Sequence, residues 1–200
     1  EMSRGLGDVY KRQIQCGQCN CSWWRIMLIR VIKPPADEPV GVDELKEYLH
    51  IDCDSEDSLL SQLISAARKT AEEYQHKAYM TQTLEVTTSW NKETELPRSE
   101  FFKELVSLKD SKGNAVSGYT IKPDLNYKLV FDKAGDGQLT ATYITGTDNA
   151  KQVDEMVRLA IMQLACHWYE NRLPVTDGKS VTEMPFSVRC LLAPGEVVTL

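Results

Sequence analysis

The sequence predicts an α+β protein, mainly an α-helical bundle of two N-terminal and two C-terminal helices with a small antiparallel β unit inserted between the pairs. Three observations carry this. Apolar residues recur every three to four positions between Val42 and Tyr74, and again between Val153 and Trp168, the period of helices with one buried face. Around Gln82 to Trp90 the period drops to two, as in a strand. The strand-like runs then follow one another with no helix between them, which argues against a parallel sheet.

Taken in order, Pro34, Pro35 and Pro39 make Lys33 to Pro39 an extended lead-in. Val42, Leu45 and Leu49 then have the spacing of a short helix. In IDCDSEDS, Asp54 or Ser55 is the expected N-cap of a long helix, with Glu56 and Asp57 in its first turn, where the helix dipole favours carboxylates. Leu59, Leu60, Leu63, Ile64, Ala67, Ala71 and Tyr74 form its apolar stripe, and Arg68, Lys69, Glu72 and Glu73 fall on other faces. The β excursion is expected over about 81–146: Thr81 to Trp90, Leu105 to Lys109, Tyr119 to Lys122, Tyr127 to Phe131 and Gln138 to Thr145 read as strands separated by turn-forming residues. Val153, Met156, Val157, Ala160, Ile161, Leu164, Ala165 and Trp168 form a wide apolar face over roughly Lys151 to Asn171, the strongest helix. Pro174 stops it, Val175 to Thr182 reads as a mobile polar loop, and Pro185 opens a final helix to Leu192.

The chain has 200 residues, 42% of them hydrophobic, enough for one domain with a real core. Its first segment is treated separately. Met2 to Gln13, MSRGLGDVYKRQ, resembles the translation of a transposon adapter used in preparing sequencing libraries. Residues 1–26 are therefore expected to be non-native, Met27 to be the natural start, and 27–200 to be a single domain. No apolar run approaches the roughly 18 residues of a membrane span, and no secretory signal appears in order, so no membrane is expected and the default compartment is reducing cytoplasm. Setting aside Arg4, Lys11, Arg12, Arg25, Glu1 and Asp8 leaves 19 basic and 27 acidic residues. Such a chain, without a basic cluster, is poorly suited to gripping nucleic acid through its phosphates.

Candidate chemistry is sparse. Cys16, Cys19 and Cys21 have metal-like spacing but sit in the adapter segment and lack a second ligand pair. Cys53, Cys166 and Cys190 are scattered and odd in number, which argues against a disulfide framework. Cys166 and His167 are adjacent, so on a helix they point about 100 degrees apart and do not form a nucleophile and base. His50, His76 and His167 pair at no metal-binding interval. The acids Asp52, Asp54, Glu56 and Asp57 lack the glycine and closing glutamate of a calcium loop and read as helix capping. The glycines of KAGDGQ lie between two strands and build a hairpin turn. No catalytic residue, cofactor or metal is expected. Trp168, Tyr169, Glu170, Asn171 and Arg172 crowd a helix end and read as aromatic anchors with an ion pair or an interface.

Three segments together resemble the head-tail connector family of tailed phages, also called head-completion or DNA-packaging adaptor proteins. They are VGVDELKEYLHIDCDSEDSLLSQLISAARKTAEEY; the Gln82-Thr83 that opens the first strand; and AIMQLACHWYENR combined with MPFSVRCLLAP. The pairing of HWYENR with the proline-led helix ending in Leu191 and Leu192 is the most specific part. Two departures stand out: QHKAYM replaces a glycine-and-arginine turn after the long helix, and the ending PGEVVTL is neither basic nor aromatic. The resemblance implies a non-enzymatic virion protein. It would form a ring, dodecameric in the virion, beneath the portal protein, extend the DNA channel without sequence-specific binding, and offer a docking face to a tail-side completion protein. Trp168 to Arg172, Leu191 and Leu192 are then the signature and candidate interface residues. The alternatives are an intracellular hydrolase or nuclease using scattered carboxylates, or a regulatory protein-binding module.

Overall fold

The computed structural model of the chain describes residues 27–171, 175–176, 179–180 and 184–196. The adapter-like segment 1–26, with its three cysteines, and Arg172 lie outside the described residues. In chain order the elements are β1 Leu28–Lys33, α1 Val42–Leu49, α2 Asp57–Gln75, β2 Gln82–Ser89, β3 Glu93–Glu95, β4 Phe102–Asp110, β5 Tyr119–Lys122, β6 Lys128–Phe131, β7 Gln138–Thr145, α3 Glu155–Glu170, β8 Val175–Thr176, β9 Lys179–Ser180 and α4 Phe186–Leu192.

The protein is α+β, but it is not mainly a helical bundle carrying a small β unit. Two antiparallel sheets, ordered β1-β2-β7-β4 and β3-β6-β5, pack on each other around a core of their own, with Leu84, Val86, Leu96, Leu129, Leu139 and Tyr143 at its centre. The physical reason is that alternation along β2 and β7 leaves Leu84 and Val86, and Leu139, Ala141 and Tyr143, completely or nearly buried on one face. That face needs a second sheet to cover it. The β part is thus a packed pair of layers rather than an excursion resting on helices.

The helices form the other core. α2 packs on α3 and α3 on α4, burying Leu60, Ile64, Ala71, Ile161, Leu164 and Leu192. The α2 stripe is largely as its spacing dictates. Arg68 and Glu72 differ: although charged, they are only 1% and 2% exposed. Met156, assigned to the buried face of α3, is 50% exposed instead. The N-cap of α2 is Glu56, with no side-chain bond, rather than Asp54 or Ser55. Asp54 is diverted to Lys46. The segment expected as a mobile loop after α3 contains β8 and β9, which pair Val175 with Ser180 and Thr176 with Lys179.

The two cores meet where α2 hands over to β2. Thr147 donates its backbone N–H to the Tyr79 carbonyl at 3.0 Å, and Met80 bridges to Thr147, so the end of β7 crosses the entrance of β2. Gly146 makes that crossing possible. Its φ is +104°, and a Cβ there would lie 2.1 Å from the Met80 carbonyl oxygen.

Candidate interaction surface

The charged residues of α2 build a buried seam between helices and sheet. Arg68 donates from Nε to Glu38 Oε2 at 2.6 Å and from Nη1 to Glu72 Oε2 at 2.7 Å. Glu72 Oε1 accepts from the Tyr79 backbone N–H at 3.0 Å and from Gln82 Nε2 at 3.2 Å. One carboxylate therefore ties together α2, the α2–β2 turn and the first residue of β2. Burial pushes the Glu72 carboxyl above its ordinary range, and Arg68 with the two donated hydrogen bonds offsets part of that. Arg98, in the left-handed region with φ +56°, lines the same cleft of about 280 Å³. Charged groups stay buried in this way only when each has a partner.

Similar ties fix the N-terminal helices. Lys46 is mostly buried and reaches Asp54 at 2.5 Å and Asp57 at 2.8 Å, which holds the acidic break against α1. The pairing holds the Asp54 carboxyl below its ordinary range and the Lys46 ammonium above its own. Arg158 donates from Nη2 to Glu44 Oε1 at 2.6 Å and from Nε to the Pro39 carbonyl at 3.0 Å, joining α3 to α1 and the lead-in.

The signature residues divide between core and surface. Trp168 and Tyr169 are half-buried against the helical core, and the Tyr169 hydroxyl donates to Glu56 Oε2. Asn171 caps α3, its Nδ2 donating to the His167 carbonyl at 2.9 Å. Leu192 is fully buried, Leu191 packs beside it, and the Leu192 carbonyl accepts from Gln75 Nε2 at 2.6 Å. Glu170 is exposed. Tyr169 therefore meets the start of α2 and Leu192 its last residue, so the end of α3 and the proline-led helix both pack on α2, at its opposite ends.

Nothing in this arrangement activates a nucleophile. Partial burial and the adjacent Glu170 carboxylate push the Cys166 thiol up, the opposite of what a reactive thiolate needs. Among the described residues no group of three His, Cys, Asp or Glu side chains is placed to hold a metal ion. No described helix is long and apolar enough to cross a membrane.

What sequence reasoning missed lies on the sheet. The edge strand β1 leaves Leu28, Val31 and Ile32 exposed at 57%, 45% and 51%, and the opposite edge strand β4 leaves Val106 exposed at 55%.

Residues 40–109 match the model of the phage gp6-like head-tail connector protein family. No curated protein matches the chain. Among solved structures, the chain is similar to one from the neck of an empty gene transfer agent particle computed with C6 symmetry. It is 17% identical, with a TM-score of 0.68, covering 86% of this chain and 97% of that one. A chain of the native gene transfer agent virion is 20% identical, with the same coverage and a TM-score of 0.68. A third, from the native neck computed with C12 symmetry, is 17% identical, with a TM-score of 0.66. At these identities the likeness establishes a shared fold.

Proposed function

We propose that this chain is a structural head-tail connector subunit, a non-enzymatic component that assembles into a ring beneath a portal protein, extends the DNA channel and presents a docking face to a tail-side completion protein. The observation that carries this reading is the agreement of two independent likenesses. A connector family model matches residues 40–109, and the fold of a neck protein runs through 86% of the chain. The physical character of the chain supports it. With a formal net charge of −6 and no basic cluster, it suits a channel wall that DNA passes without adhering.

The ring is dodecameric in the virion, and subunits collect at the head-tail junction after assembly in the host cytoplasm. Of the signature residues, Trp168, Tyr169, Leu191 and Leu192 shape the face on which a neighbour rests, and the exposed Glu170 contacts that neighbour directly. The test is co-migration: the chain is mixed with the portal protein encoded beside it, and mass is measured by light scattering across a size-exclusion run. A single peak heavier than portal alone is expected; two peaks at the separate masses overturn the proposal.

A further inference from the structure

Each edge of the four-stranded sheet is open over part of its length, interrupted by register shifts between Val31 and Lys33 on β1 and between Phe102 and Glu104 and between Leu105 and Ser107 on β4. β1 hydrogen-bonds only to β2 among the described residues, and almost all its side chains are exposed, three of them the apolar Leu28, Val31 and Ile32. At the other edge, residues 114–116 fold back over the far end of β4, bridging Ala115 to Lys109, but Phe102 to Ser107 has no outer partner among the described residues. Val106 and the adjoining Phe101 are exposed there at 55% and 42%.

The two edges are different from each other and complementary. β1 carries Arg30 and Lys33 and no acid. On β4, Lys103 is engaged by Asp148, whereas Glu104 is exposed and has no ion-pair partner among the described residues. Arg30 sits opposite Glu85 and forms a long, exposed ion pair with it at 3.7 Å, which leaves the guanidinium open to a second carboxylate; Glu104 pairs through Ile144 to Thr83, so Arg30 and Glu104 lie on the same face of the sheet. Strand direction agrees as well. Four strands alternating in direction put β1 and β4 antiparallel, so a neighbour related by rotation about a ring axis brings its β1 antiparallel to this β4. A ring needs two unlike, mutually fitting faces on every subunit.

We propose that the sheet edges form the seam between neighbouring copies of this chain: β1 of one copy adds to the open part of β4 of the next, with Arg30 opposite Glu104 and Leu28 beside Val106. The inference rests on the ring reading above and adds a contact between neighbours to the one at the Trp168 and Glu170 face. Backbone pairing gives the seam its strength, and the charge and apolar matches set its register.

The test uses two forms of the full chain, a ¹⁵N-labelled Leu28→Cys and an unlabelled Val106→Cys, mixed with portal, oxidised and separated by size. The expected result is joined peptides containing positions 28 and 106, one labelled and one not, in the assembled fraction. A second variant, Leu28→Lys with Ile32→Lys, is expected to keep its circular dichroism spectrum and lose the assembled fraction. Assembly on portal with position 28 joined to position 28, or with no 28–106 product, overturns the seam and leaves the connector reading standing. A chain that neither assembles nor binds portal removes both.

Discussion

The hydroxyl of Tyr169, near the end of α3, donates to the carboxylate of Glu56, at the start of α2 and 113 positions earlier. The contact joins the two ends of the chain that carry its most distinctive residues, the acidic break before α2 and the aromatic cluster closing α3. Tyr169→Phe removes only this donor and keeps the ring in the helical core. Since a hydrogen bond to a charged group contributes about 1.5–3 kcal/mol and this one is only half-buried, the loss is expected at about 1.5 kcal/mol in urea unfolding. An unchanged midpoint would contradict it.

Glu72 offers a larger effect. Truncation to alanine leaves Arg68 with Glu38 alone and strips acceptors from the Tyr79 N–H and Gln82. The expected cost is about 3 kcal/mol, the lower end for breaking a buried pair, because Glu38 remains. Glu72→Gln keeps the volume and one acceptor oxygen and is expected to cost about half as much. Because burial holds the Glu72 carboxyl above its ordinary range, its charge works against folding at neutral pH, a component the glutamine variant lacks. Denaturant titrations of the two variants measure the difference.

His76 closes α2 in the left-handed conformation, φ +55°. A side chain is strained there and glycine is not. His76→Gly is expected to stabilise the protein by about 0.5–1 kcal/mol, less than the full relief of strain because glycine also loosens the unfolded chain. Thermal unfolding of the variant gives the sign directly.

The Lys46 cluster sets a pH dependence. The Asp54 carboxyl lies below its ordinary value of 3.8, so its contribution is present above that pH and is lost as pH falls through the lowered value. Lys46 lies above its ordinary 10.5, so its contribution is complete below that pH and is lost as pH rises past the elevated value. Lys46→Met is therefore expected to melt below the parent between these limits and to converge on it in strong acid. Melting curves from pH 2 to 8 test this; a gap that persists undiminished at pH 2 would argue against the pairing.

Much of the helical half was legible in the sequence because its apolar stripes are long and each helix buries one face. Leu60, Ile64, Ala67 and Ala71 are where their spacing puts them. β1 escaped because an edge strand with both faces largely in water has no reason to alternate, and LIRVIK does not. β4 starts three residues early, at Phe102, because register shifts near Lys103 and Val106 disturb the two-residue period. With β1 and β3 unrecognised, the sheets looked too small to form a core, which is why the sequence suggested a bundle. Arg68 and Glu72 were assigned to water on their charge. Their i, i+4 spacing beside Ala67 and Ala71 was the available signal that the pair is internal. The signature around Tyr169 and Leu192 was recognisable as a unit, and the structure adds that much of it faces inward.

Electron-microscopic class averages of the chain mixed with portal decide whether it closes into a ring coaxial with portal. An added ring on one end of portal, with an open channel continuing the portal's own, is expected. Portal particles without that ring, or with the added protein closing or missing the axis, would contradict it.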